Sequence, residues 1–281
     1  MRAFKYITDL FLYSNIFISF CAAAITIETY LLRIAEINWM YVSFVFFSTL
    51  VFYDFPSLFF AGEAFSADES ERHIWIKENK KFLGFFLALG SIGVAVTAFF
   101  FPMKFILSFI PTAIIAFAYF FPQTRLRSIA GLKAGVIAFV WTAVSCIYPM
   151  LLHSFPESDF NNFFYGYNGL LMAQRFFFML PLCIIFNVRD MEADRSAGIR
   201  TIPLAYGISV TKVICLVSLF LFTAFLRFPF GKIEIVLIVS AIVSAIFILG
   251  ASRSRSEYFY SFWIDGMILL QAGVVGVIYL L

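Results

Sequence analysis

Apolar residues run along this chain in long unbroken stretches, and the polar breaks between them fall at regular intervals. At about twenty residues per crossing, the pattern predicts roughly nine membrane helices. They are Thr8 to Leu32, Trp39 to Ala61, Phe82 to Phe101, Lys104 to Phe121, Lys133 to Leu152, Asn168 to Val188, Val210 to Arg227, Ile233 to Gly250 and Tyr258 to Leu281. The third and fourth form a tight hairpin around Pro102. The expected fold class is an all-α integral membrane bundle, with residues 1–281 forming a single transmembrane domain.

The placement of Lys and Arg orients this bundle. With the N-terminus inside, the inner connections hold Arg2, Lys5, Arg72, Lys77, Lys80, Lys81, Arg125, Arg127, Lys133, Arg189, Arg195, Arg200, Lys212, Arg253 and Arg255, against only Arg33, Lys104, Arg227 and Lys232 outside. Cytoplasmic loops carry such an excess, and a span missed early in the series would destroy it. The expectation is a multi-pass protein of the cell's inner (plasma) membrane, with a cytoplasmic N-terminus and the C-terminus on the opposite side. Three inner connections are rich in polar residues: Gly62 to Lys81, Pro122 to Leu132 and Arg189 to Ser209. They follow the second, fourth and sixth spans.

Composition agrees with the pattern. Of 281 residues, 62% are hydrophobic and only 13% charged, against about a quarter charged in a soluble domain. The net charge of +3 says little by itself, because in a membrane protein the placement of Lys and Arg carries more information than their sum; no nucleic-acid partner is expected. Cys21, Cys146, Cys183 and Cys215 lie in apolar runs without a CxxC or Cys/His pairing, so neither a disulfide framework nor a zinc site is expected. The first apolar stretch runs on without a small-residue cleavage site, as a span does and a signal peptide does not.

The chemistry concentrates in Asn187 to Pro203, which packs acids, bases, a Gly and a Pro directly after an apolar run. If the preceding helix continues through it, Asn187, Asp190 and Asp194 fall at i, i+3 and i+7 and share one face. Two carboxylates and an amide oxygen suit a hard cation such as Mg²⁺, which keeps waters and bridges to substrate phosphates. Arg189, Arg195 and Arg200 flank them, and Gly198 with Pro203 should end the helix and turn the chain. The competing reading is a solvated charged loop.

Other polar positions divide in the same way. Asp54 sits within apolar sequence just before Pro56, and an ionisable group at membrane depth is a functional candidate. Arg175, Asp265 and Glu28 are either cavity residues or members of buried ion pairs. Arg125, Arg127 and Lys133 either clamp phosphate oxygens or reflect the cationic bias of inner loops. Asp68, Glu69 and Glu71 look like a solvated loop, and His73 like a surface histidine.

Asn187-x-x-Asp190-x-x-x-Asp194, followed by Arg195, Gly198, Arg200-Thr201 and Pro203, resembles the second aspartate-rich motif of the UbiA-type intramembrane prenyltransferases. That superfamily also has nine transmembrane helices, with polar cytoplasmic loops after helices two, four and six. The resemblance implies Mg²⁺-dependent transfer of an isoprenyl group from a prenyl diphosphate to a lipophilic, often aromatic, acceptor dissolved in the bilayer. Asn187, Asp190 and Asp194 would hold the metal on the diphosphate, joined by Asp54. Tyr119, with Arg125, Arg127 and Lys133, would stand for the family's Tyr-and-Lys element after helix four, with Gln123 at the lysine position.

The first motif departs from the family. Where the pattern is Asn-Asp-x-x-Asp-x-x-x-Asp, this chain reads Tyr53-Asp54-x-x-Ser57-x-x-x-Ala61. Two readings follow: a divergent prenyltransferase, or a relative that binds or transports an isoprenoid phosphate without turnover.

Overall fold

The computed structural model describes residues 2–34, 36–59, 71–120, 129–154, 163–226 and 231–280. These residues are almost entirely helical. In lipid every backbone N–H and C=O must be satisfied within the segment, which leaves the helix as the form open to such apolar runs. Hydroxyls inside the spans follow the same rule: Thr26 donates to the Ala22 carbonyl and Thr142 to that of Ala138, each at 2.8 Å.

In chain order the helices are α1 (Arg2–Tyr13), α2 (Ile16–Thr29), α3 (Trp39–Phe59), α4 (Glu71–Glu78), α5 (Lys80–Ala98), α6 (Met103–Ser108) and α7 (Ile110–Phe120). They continue as α8 (Leu132–Thr142), α9 (Tyr148–Ser154), α10 (Tyr167–Arg189), α11 (Met191–Ser196), α12 (Ile202–Ala224), α13 (Lys232–Gly250) and α14 (Asp265–Leu280). π-Helical turns at Tyr30–Ile34, Ala143–Ile147 and Phe259–Ile264 extend α2, join α8 to α9 and lead into α14. Eight helical stretches of the described residues are long and apolar enough to cross a membrane.

Three predicted boundaries shift. The expected fourth span, Lys104 to Phe121, is divided between α6 and α7. Pro111 has no N–H and its ring blocks the carbonyl four residues back, so the chain tightens there, with the Phe109 N–H on the Ile106 carbonyl at 3.1 Å. The expected first span is also broken. Asn15 takes a left-handed conformation (φ 59°), which Asn tolerates better than most residues, so α1 is a separate helix and the span begins at Ile16. The seventh begins earlier than Val210: α12 starts at Ile202 and bends at Gly207 (φ 83°), a backbone region open to glycine.

Burial shows which helices form the centre. In the spans at Ile16–Ile34 and Tyr167–Arg189, 56% of the apolar window is buried, against 17% in Lys80–Ala98. Accordingly α2 packs on both α3 and α14, and α10 on both α8 and α12, while α5 lies outside against α3. That outer contact is close. A Cβ added at Gly93 would sit 2.4 Å from the Phe47 ring.

Candidate functional site

The central helices enclose a cavity of about 200 Å³. Each contributes one face, as helical spacing requires. From α8 come Lys133, Ile137 and Trp141; from α10 come Met179, Leu182, Cys183, Phe186 and Asn187; from the last membrane helix come Ser261, Asp265 and Ile268. Asn15, Ile18, Tyr53, Arg72, Arg189 and Asp190 also line it. Read along each helix, polar residues lie at one end and apolar ones deeper. Lys133 precedes Ile137 and Trp141 on α8; on the oppositely running α10, Asn187 follows Met179 and Leu182; and Ser261 and Asp265 precede Ile268. The result is a cationic and carboxylate mouth above an apolar chamber.

The stretch from Asn187 to Pro203 folds partly as expected. The helix does not continue through it: α10 stops at Arg189, and Asp190 (φ −84°, ψ 6°) starts the short helix α11. Asn187 and Asp190 reach the cavity, while Asp194 is buried behind it at 4% exposure. Gly198 (φ 67°) ends α11, with its N–H on the Arg195 carbonyl at 3.2 Å and the Ile199 N–H on the Asp194 carbonyl at 2.8 Å. This is the paired-bond glycine stop that the Gly–Pro spacing predicted.

Charges at the mouth are largely paired. Arg189 donates to both oxygens of Asp190, at 2.7 and 3.3 Å, and to Glu257 at 3.3 Å. Lys133 reaches Asp194 at 3.1 Å. Burial pushes Asp190 upward, but Arg189, Lys133 and Arg72 outweigh it and hold the carboxyl below its usual range. For Asp194 burial prevails over the attraction of Lys133, and its carboxyl lies above the usual range. Burial also depresses Arg72, and the like charge of Arg189 adds to the effect. Two guanidinium groups that repel across a cavity mark a place where an anion relieves both desolvation and repulsion.

Asp54 is fully buried, yet Asn15 stands between it and the cavity. The Asn15 amide donates to Asp54 Oδ1 at 2.8 Å, and Asn15 Oδ1 accepts from Arg72 at 2.9 Å. Asp54 Oδ2 is buried without a hydrogen-bond partner among the described residues. Among the described residues, Asp54 therefore fastens Arg72 at second hand. Asn15 and Arg72 were not singled out as site residues in the sequence. The break in the first span, placed by an Asn, was the only local signal for Asn15.

The remaining predicted residues divide. Arg195 is exposed and paired with Glu192 at 3.2 Å, and Arg200 is exposed. Tyr119 is carried by α7, which packs on α8; Arg125 and Arg127 fall outside the described residues, as does Gln123. Arg175 is an ion-pair residue and not a cavity residue: it binds Glu28 at 3.0 Å, and Gln271 completes Glu28 at 3.0 Å. His73 is half-buried, and burial together with the Arg72 charge lowers its pKa.

Among the described residues, no group of three or more His, Cys, Asp or Glu is arranged to hold a metal by itself. The donors at the mouth are nonetheless oxygen-rich: Asn187 and Asp190 line it, and Asp194 lies one turn beyond Asp190. Mg²⁺ commonly needs only one or two protein carboxylates when phosphate supplies its other ligands, so this donor set fits a metal that arrives on a diphosphate.

No protein-family model matches the chain, and no curated protein matches it by sequence. In three dimensions it is similar to the apo structure of a UbiA homolog from Aeropyrum pernix K1, with a TM-score of 0.65 and 15% identity, over 94% of this chain and 98% of that one. The all-helical, multi-pass membrane architecture is the UbiA fold.

Proposed function

We propose that this protein transfers an isoprenyl group from a prenyl diphosphate to a lipophilic, possibly aromatic, acceptor within the membrane. The observation that carries this reading is the cavity's polarity: Arg72, Lys133 and Arg189 ring its mouth, and Ile137, Trp141, Met179, Leu182 and Ile268 wall its depth. An amphiphile with a polyanionic head and an apolar tail fits both halves. In this reading the mouth faces the cytoplasm, where the diphosphate is supplied.

Each part of the mouth has a task. Arg72, held by Asn15 and Asp54, and Arg189, held by Asp190 and Glu257, are fixed donors toward phosphate oxygens; a guanidinium matches their geometry well. Lys133 adds a third cation, positioned by Asp194. Asn187, Asp190 and Asp194 would hold Mg²⁺, whose charge offsets what the diphosphate gains as it leaves. The cations do the same from fixed positions, the largest kind of contribution a preorganised site makes. Trp141, Phe186 and the aliphatic wall keep water from an allylic cation until the acceptor attacks.

The second reading, an isoprenoid-phosphate binder or transporter without turnover, draws on the replacement of two first-motif acids by Ser57 and Ala61 and on the lack of a ready three-acid cluster among the described residues. Purified protein incubated with Mg²⁺, a membrane lipid extract and geranyl, farnesyl or geranylgeranyl diphosphate separates the two. Pyrophosphate release with a prenylated lipid product supports transfer. Saturable binding without release supports the second reading, and the lack of both removes each of them.

A further inference from the structure

Prenylation leaves one chemical need that the cationic mouth cannot meet. The acceptor carries a proton at the atom it uses to attack, and that proton must leave in a chamber with few water-accessible bases. Among the described residues five acids lie in or behind the cavity mouth, and four are engaged. Asp190 is gripped by Arg189 through both oxygens, Glu257 binds the same guanidinium, Asp194 is paired with Lys133, and Asp54 is screened from the cavity by Asn15. Asp265 is the fifth. It lines the cavity, and among the described residues its carboxylate forms no hydrogen bond or ion pair. An unpaired carboxylate inside a membrane span is costly and marks function by default.

Its depth is the decisive feature. Ser261, Asp265 and Ile268 face the cavity from one side of the last membrane helix, so Asp265 stands one turn below a polar residue and one turn above an apolar one. The level at which the cationic mouth gives way to the apolar chamber is therefore the level of Asp265. In a prenyl diphosphate seated head-to-mouth, C1 of the chain occupies that junction, because C1 is the atom joining head to tail. A π-helical turn, Phe259–Ile264, immediately precedes Asp265; such turns recur at functional sites because they re-aim the residues that follow.

We infer that Asp265 is the general base of the transfer, accepting the acceptor's proton as the acceptor bonds to C1. The balance is simple. The C1–O bond breaks and diphosphate leaves with the electron pair; an electron pair of the acceptor's carbon or oxygen forms the new bond to C1; the proton displaced from the acceptor passes to the Asp265 carboxylate. This inference rests on the transferase reading above.

The test uses full-length protein in detergent or nanodiscs, with Mg²⁺, the membrane lipid extract and whichever of the three prenyl diphosphates the unchanged protein consumes. Asp265→Asn is expected to lower product formation by about 100-fold or more, the usual share of general-base catalysis, while the donor dissociation constant shifts by less than about threefold. The rate–pH profile of the unchanged protein should rise along an acidic limb that Asp265→Asn lacks. Asp265→Glu should keep part of the activity, and formate should restore part of it to Asp265→Gly; a purely structural role would give neither. Full activity in Asp265→Asn, or an unaltered acidic limb, overturns the role of Asp265 alone. An unchanged protein that consumes no donor overturns the transferase reading and this inference with it.

Discussion

Asn15 donates its side-chain amide to Asp54 at 2.8 Å while its own oxygen receives Arg72 at 2.9 Å. A carboxylate deep in α3 thus governs a guanidinium on α4 through an amide at the head of α2. The arrangement makes Asp54 a positioning residue, and the substitution series distinguishes that role from metal ligation. Asp54→Asn still presents an oxygen to Asn15 and should weaken geranyl diphosphate binding less than about threefold. Asp54→Ala removes the acceptor and should weaken it about tenfold, since losing one partner of a buried hydrogen bond costs about 1–3 kcal/mol. Equal, severe losses in both variants, measured by calorimetry in the presence of Mg²⁺, would make Asp54 a direct ligand.

Lys133 and Asp194 meet across 61 positions of sequence, at 3.1 Å and with little exposure. Removing either partner leaves the other charge nearly buried. Lys133→Met should destabilise the protein by about 3 kcal/mol, the low end for breaking a buried pair. The double variant Lys133→Met with Asp194→Leu should recover most of that loss while still failing to bind diphosphate. Thermal unfolding in detergent and a binding assay on the same samples check the two halves separately.

Arg175 and Glu28 form a second buried pair away from the cavity, at 2% and 1% exposure. Thr29 and Gln271 complete it with bonds at 3.0 Å. Glu28→Ala strands a guanidinium inside the bundle and should cost about 3–5 kcal/mol. Donor affinity in the surviving folded fraction should be unchanged, because neither residue lines the cavity. A lowered unfolding midpoint with unaltered affinity is the expected pair of results.

Asp190 gives stability a defined pH dependence. Its carboxyl titrates below the usual range in the folded protein, so the unfolded chain takes up that proton first as pH falls. The stabilisation is complete above the ordinary carboxyl value of about 4 and is lost as pH falls through the folded value. Unfolding midpoints measured from pH 6 to pH 3 should drop more steeply for the unchanged protein than for Asp190→Asn. Parallel curves would show that Asp190 is not held ionised by its neighbours.

By itself the sequence determined that this chain is a bundle of membrane helices, because twenty-residue apolar runs have few other fates in lipid, although the fourth of its nine expected spans is divided between α6 and α7. It also singled out the polar stretch Asn187 to Pro203, since charge beside an apolar run is costly and so conspicuous, and it marked the Gly198 stop. Only the tertiary structure decided which of the scattered polar residues share a site. Lys133 and Asp194, or Asn15, Asp54 and Arg72, meet through helix packing, and no sequence spacing encodes distances between helices. The same holds for the two fates of charge within the spans: Arg175 and Glu28 cancel each other out of reach of the cavity, while Asp265 at its wall has no partner among the described residues. In the linear chain each was simply an ionisable residue in an apolar run, and its meaning depended on what the neighbouring helix placed opposite it.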